Sequence, residues 1–133
     1  KSQTQENPVY YVQYVHARIA SIFREAPAKG IHVEPVSGSA LESLTHPAER
    51  ALLLKLAWFP EALRTCEKEL SPHPLANYLT ELAGQYHSFY EACHVLDQAA
   101  LDLSRARLTL CGGVRALMAE SLGLLGVSAP EKM

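Results

Sequence analysis

LANYLTELAGQYHSFYEACHVL, residues 75–96, carries the pattern that decides the fold. Leu75, Leu79, Leu82, Tyr86, Phe89, Cys93 and Leu96 recur at alternating steps of four and three. That spacing places all seven on one face of a helix. Its strictness predicts a long helix lying along another helix, as in a bundle seam. Just upstream, Ser71 is a suitable N-cap, with Pro72 and Pro74 in a first turn that tolerates them.

The same period appears on either side. A first helix is expected from near Asn7, with Pro8 at its first position, to about Ala26 before Pro27. Its apolar stripe is Val12, Val15, Ile19 and Ile22. A second helix starts at Pro47, with Leu52, Leu53 and Leu56 facing inward, and its apolar run ends at Trp58 and Phe59. Pro60 then kinks it or begins a third helix bearing Leu63, Cys66 and Leu70.

A last helix, from about Ala99 to Leu125, is apolar around most of its circumference and is expected to be central. Gly112 and Gly113 interrupt it, which suggests close approach of a neighbouring backbone. Gly126 is a suitable C-cap. Residues 27–46 contain Pro27, Gly30, Pro35 and Gly38 and read as a long loop, in which Leu41 and Leu44 can form a turn that packs down. No segment reads as a strand. The expected class is all-α, an antiparallel bundle of four to five helices forming one domain over 8–133.

Composition narrows the function. No apolar run reaches the ~18 residues of a membrane span. Three cysteines (Cys66, Cys93 and Cys111), odd in number and far apart, fit neither a disulfide framework nor a zinc site; reduced thiols point to the cytoplasm. Six histidines form no ligand spacing on one helix face, so no metal is expected. No nucleophile motif, phosphate loop or carboxylate pair is present, which favours a binding or structural module over a catalyst. The net charge of −2 argues against a grip on nucleic acid by charge alone. The acidic excess is concentrated in the middle, however. Residues 27–98 carry five basic and nine acidic groups, against three and two in 1–26 and four and three in 99–133. A polyanion would meet the terminal segments.

The first helix opens on ENPVYYVQYVHAR, residues 6–18, with three tyrosines, a histidine and an arginine between Tyr10 and Arg18. With Val15 at zero and ~100° per residue, Tyr11 falls about 40°, Arg18 about 60° and Tyr14 about 100° to the same side. Tyr14 and Arg18 are one turn apart at the edge of the core. A ring face beside a planar cation can stack an unpaired base and hydrogen-bond its edge. It can equally be a structural cation–π pair. On the long helix Tyr90 and His94 are also one turn apart, about 40° and 80° from Tyr86, and can form a second stacking surface.

Taken together, these segments resemble the C-terminal, DALR-type anticodon-binding domain of arginyl-tRNA synthetase. ENPVYYVQYVHAR is similar to its opening. RARLTLCGGVRALMAESLGLLGVSAPEKM, residues 105–133, is similar to its end, with the RL-x-L step at Arg107, Leu108 and Leu110. PAERALLLKLAWFPEAL and PHPLANYLTELAGQYHSFYEAC match the middle. Apart from 27–46, the resemblance covers nearly the whole chain. It implies a helical bundle appended to a class I catalytic domain that joins arginine to its tRNA using ATP and Mg. The two class I ATP signatures are absent from this sequence, so the chain alone is expected to be inactive and to hold no cofactor, with Lys1 to Asn7 as the junction from the catalytic part.

The resemblance also implies roles. Tyr14 and Arg18 match the family's QY-x-H-A-R step, and Tyr90 and His94 its aromatic pair on the long helix. In that pair a tryptophan can occupy the second position, from which His94 departs. The main chain of Met133 can border the pocket, Tyr11 is a further candidate, and Arg107 matches the RL-x-L step, either as a further RNA contact or only as support for the fold. The implied partners are the anticodon loop of arginine tRNA and the catalytic domain of the same chain, with no membrane and a monomeric state. The reading from another class is a helical interaction or dimerisation module without RNA binding, which the strict seam would serve equally well. A closer rival is the helical anticodon domain of another class I synthetase, against which the ENPVYYVQY opening and the methionine finish argue.

Overall fold

The computed structural model describes residues 8–133; the expected cap at Asn7 and the junction at 1–7 lie outside the described residues. Five α-helices and no strand occupy the described part: α1 (Pro8–Glu25), α2 (Pro47–Ala57), α3 (Phe59–Glu69), α4 (His73–Ala92) and α5 (Leu101–Leu124). In α1 the stripe Val12, Val15, Ile19 and Ile22 is buried. Each such side chain contributes about 1.5–3 kcal/mol by leaving water. Pro60 stands in the first turn of α3 and so begins a helix, with the single residue Trp58 joining α2 to α3.

The segment after α1 is pinned. It contains two short 3-10 turns, Ala26–Lys29 and Gly38–Ser43. Gly30, at φ +75°, turns the chain so that Ile31 is buried, and Leu44 is buried further on. Between them the Val36 N–H donates to Thr109 Oγ1 on α5 at 3.0 Å. A capping box then opens α2: the Ala48 N–H donates to His46 Nδ1, and the His46 N–H donates to Glu49 Oε1.

Direction follows from which residues meet. Val9 and Val12 line one small gap with Ala76, Leu79 and Leu122, while Arg18 and Ile22 share a hollow with Tyr86 and Tyr90. Helices α1 and α4 therefore run side by side in one direction. Helix α5 runs opposite to both, bringing Cys111 to Tyr86 and the tail after Leu124 back along α1. Helix α4 packs against all four others; α5, expected to be central and buried, packs on α1, α2 and α4 and buries Ala106, Leu110, Val114, Met118 and Leu122. Gly126, at φ +81°, ends α5: its own N–H donates to Gly123 O and the Val127 N–H to Leu122 O.

Three expectations are corrected. The seam of α4 does not stay helical to Leu96. Cys93 is extended, at φ −126° and ψ 125°, and Cys93 and Leu96 are buried from a non-helical segment. Leu70 is 92% exposed at the left-handed end of α3, at φ 53°, because the chain must reverse there into α4. Gly112 and Gly113 face side chains, Phe23 and Leu56, at 3.4 and 3.5 Å from where a Cβ would stand, and no neighbouring backbone.

Candidate nucleic-acid interface

The parallel pair α1 and α4 leaves a hollow of about 360 Å³ between the middle of α1 and the C-terminal half of α4. That is within the range of small-ligand clefts, ~300–1,000 Å³. Tyr11, Tyr14, Val15, Arg18 and Ile22 come from α1; Tyr86, His87, Tyr90 and Glu91 come from α4. Tyr11, Tyr14, Arg18 and Tyr90 are thus brought together from two helices. Tyr14 and Tyr90 are 43% and 42% exposed, so both can be reached from solvent.

Tyr90 is backed by Tyr86, which is buried, with ring centroids 6.1 Å apart and planes 25° from parallel. Cys111 Sγ–H donates to the Tyr86 hydroxyl at 3.8 Å. Burial, reinforced by Cys111 and Tyr90, holds that hydroxyl well above its ordinary value, with the Arg18 charge pulling more weakly the other way. Tyr86 therefore stays neutral as a fixed floor.

The polar heads at the mouth are unengaged. Among the described residues no hydrogen bond or ion pair holds the Tyr14 hydroxyl, the Tyr90 hydroxyl or the Arg18 guanidinium. Nor is Arg18 stacked on Tyr14: the cation–π pairs are Lys55 over Tyr78 and Arg115 over Phe23. The structural cation–π alternative thus finds no support in the geometry. Glu91, the carboxylate at the rim, is paired with His87 at 3.1 Å.

His94 is placed elsewhere. Helix α4 ends at Ala92, so His94 does not continue the helix one turn above Tyr90; it lines a second hollow, of about 390 Å³, with Glu25, Lys29 and Tyr90, which the two hollows share. Met133 is not among the residues lining either hollow. The tail before it runs along the other side of α1, where Gln13 Nε2 donates to Ser128 O, His16 Nδ1 bonds Pro130 O and Arg24 donates to Glu131 O. Arg107 lines neither hollow: its Nε donates to the buried Glu49 carboxylate at 2.6 Å and its Nη1 to the His94 carbonyl at 3.0 Å.

Sequence reasoning missed Tyr86, His87 and Lys29 as wall residues. His87 was in principle findable, since it lies about 60° round the helix from Tyr90. Tyr86 was read only as seam, and Lys29 comes from a turn whose path local sequence does not reveal. No group of three or more metal-ligating side chains occurs among the described residues.

This geometry has known relatives. The profile of the DALR anticodon binding domain matches residues 12–133. The chain belongs to that family. Among proteins similar to this DALR domain, an arginine–tRNA ligase of Elusimicrobium minutum is 50% identical over 133 residues, covering 100% of this chain and 24% of that protein. One of Carboxydothermus hydrogenoformans is 47% identical with the same coverage. Among solved structures, the arginyl-tRNA synthetase of Thermus thermophilus matches 92% of this chain and 21% of its own, at 38% identity and a TM-score of 0.76. That of Plasmodium falciparum matches the same shares at 35% identity and a TM-score of 0.80. The DALR domain described here spans about a quarter of the length of the curated relatives it matches.

Proposed function

We propose that this chain reads the anticodon loop of an arginine tRNA, as the anticodon-reading part of a class I arginine–tRNA ligase. The observation that carries the reading is the convergence of three unengaged polar heads, those of Tyr14, Arg18 and Tyr90, on one aromatic-walled hollow. Family membership and the relatives' names support it.

The chemistry suits a flipped-out base. Ring faces supply stacking worth ~1–3 kcal/mol per base. Every arginine codon has G in the middle, so every arginine anticodon has C there. Cytosine offers an N4 donor and O2 and N3 acceptors. A tyrosine hydroxyl accepts from N4, and the Arg18 guanidinium donates to O2 or N3. With a net charge of −2, specificity rests on stacking and hydrogen bonds, and few phosphates are contacted here.

The remaining three-quarters of such a ligase would bind ATP, Mg and arginine and carry out the transfer. This chain alone is then monomeric and inactive in aminoacylation. The test is binding of an arginine anticodon stem-loop to the Tyr14→Ala and Arg18→Ala chains. Each is expected to bind about tenfold or more weakly with helix content unchanged; unaltered affinity in both would remove the reading.

A further inference from the structure

The end of α4 is marked by no helix-breaking residue. EACHVLDQ, residues 91–98, contains neither glycine nor proline, and Cys93 and Leu96 continue the seam of the helix. Local sequence would carry the helix on through His94. It stops after Ala92 nonetheless. The Ala99 and Ala100 N–H groups turn locally onto Asp97, and Gln98 donates to the Lys29 carbonyl. The further bonds to His94 and to the Asp97 backbone come from α5. The His94 carbonyl accepts from Arg107 Nη1 at 3.0 Å. The buried Ser104 hydroxyl accepts from the Asp97 N–H at 2.9 Å and donates to the Asp97 carbonyl at 3.0 Å.

Arg107 is itself fixed. Its Nε meets Glu49 Oε2 at 2.6 Å, with the Glu49 side chain 1% exposed and that of Arg107 13% exposed. The other Glu49 oxygen accepts the His46 N–H that opens α2. A chain of bonds therefore runs from the start of α2, through Glu49 and Arg107, to the backbone at His94. Were α4 to continue, His94 would return to about 80° from Tyr86, above Tyr90, and residues 93–96 would no longer wall the second hollow.

We propose that the Glu49–Arg107 pair sets where α4 stops, and that both are positioning residues for RNA binding, holding residues 93–96 as the wall of the second hollow beside Tyr90. This rests on the RNA-reading role proposed above. Nothing in the proposal requires Glu49 or Arg107 to touch RNA.

The test is the doubly substituted chain Glu49→Gln/Arg107→Met. It removes both charges together, so no unpaired buried charge remains to unfold the domain, and glutamine still completes the capping box at His46. Two quantities are read on the folded double variant: backbone Cα chemical shifts of residues 93–97, and affinity for an arginine anticodon stem-loop. The expected result is a move of those shifts toward helical values with about tenfold weaker binding. A purely structural pair would lower the melting midpoint and leave both readouts in place, which would overturn the proposal, as would changed shifts with full affinity. If the unsubstituted chain bound no stem-loop, the RNA reading itself would fail, and the shifts would still decide whether the pair stops the helix.

Discussion

Tyr86 lies beneath Tyr90, rings 6.1 Å apart and nearly parallel, one buried and the other half in solvent. The inner ring backs the outer one. Tyr90→Ala is expected to weaken stem-loop binding by about 1–3 kcal/mol and stability by less than ~1 kcal/mol, since its ring is partly solvated. Tyr86→Ala, deleting a core ring, is expected to cost roughly 3–5 kcal/mol of stability. Urea melts beside binding titrations separate the two; equal stability losses would contradict this division of labour.

Glu49 and Arg107 make a buried ion pair joining residues 58 positions apart in the chain. Either single substitution, Glu49→Ala or Arg107→Ala, is expected to destabilise by about 3–5 kcal/mol, because the remaining charge stays in a site built for its partner. The double substitution is expected to cost less than the sum. Additive losses in a double-mutant cycle would mean that the pair is not coupled.

Leu70 is an exposed leucine in a left-handed conformation, at φ 53°. A side chain there costs roughly 1–2 kcal/mol relative to glycine in the folded state, and part of that is returned by the greater freedom of glycine in the unfolded chain. Leu70→Gly is therefore expected to stabilise the chain by about 0.5–1 kcal/mol. A lower thermal midpoint would show that the leucine makes a contribution its exposure hides.

Alkali offers a test of the core. Burial pushes the Cys111 thiol up to about 12 from 9.0, and the Tyr78 hydroxyl up to about 12 from 10.0. Both folded values lie above the unfolded ones, so the stability they contribute is complete below about pH 9 and is lost as pH rises toward 12. The melting midpoint is expected to fall across that window. Cys111→Ala with Tyr78→Phe should lessen the fall, with the raised Tyr86 and Cys93 groups keeping the remainder; an identical profile would assign it to other groups.

Much of the fold was legible because its signals are local. Pro8 and the 12–15–19–22 stripe define α1, Pro47 begins α2, and Gly126 stops α5 with the two reversed hydrogen bonds its left-handed backbone permits. The placement of Tyr14 and Arg18 at one edge followed from helical angles alone. What stayed hidden depends on distant partners. The seam points past Ala92, and Arg107 and Ser104, on another helix, with Gln98 bonded to the Lys29 carbonyl, hold the chain away from it. That displaces His94 into a separate hollow. Met133 lines neither hollow, and α1 holds three carbonyls of the tail before it on the helix side away from the first. Glu49 gave no sign of its partner, which stands 58 positions further along the chain.

The most direct test compares this chain's binding to an arginine anticodon stem-loop and to the same loop with the middle C changed to U, at two salt concentrations. Base reading in the hollow between Tyr14, Arg18 and Tyr90 is expected to give a preference for C of about tenfold or more that persists at the higher salt. Equal binding of both loops, fading together as salt rises, would mean attraction to phosphate alone and would contradict it.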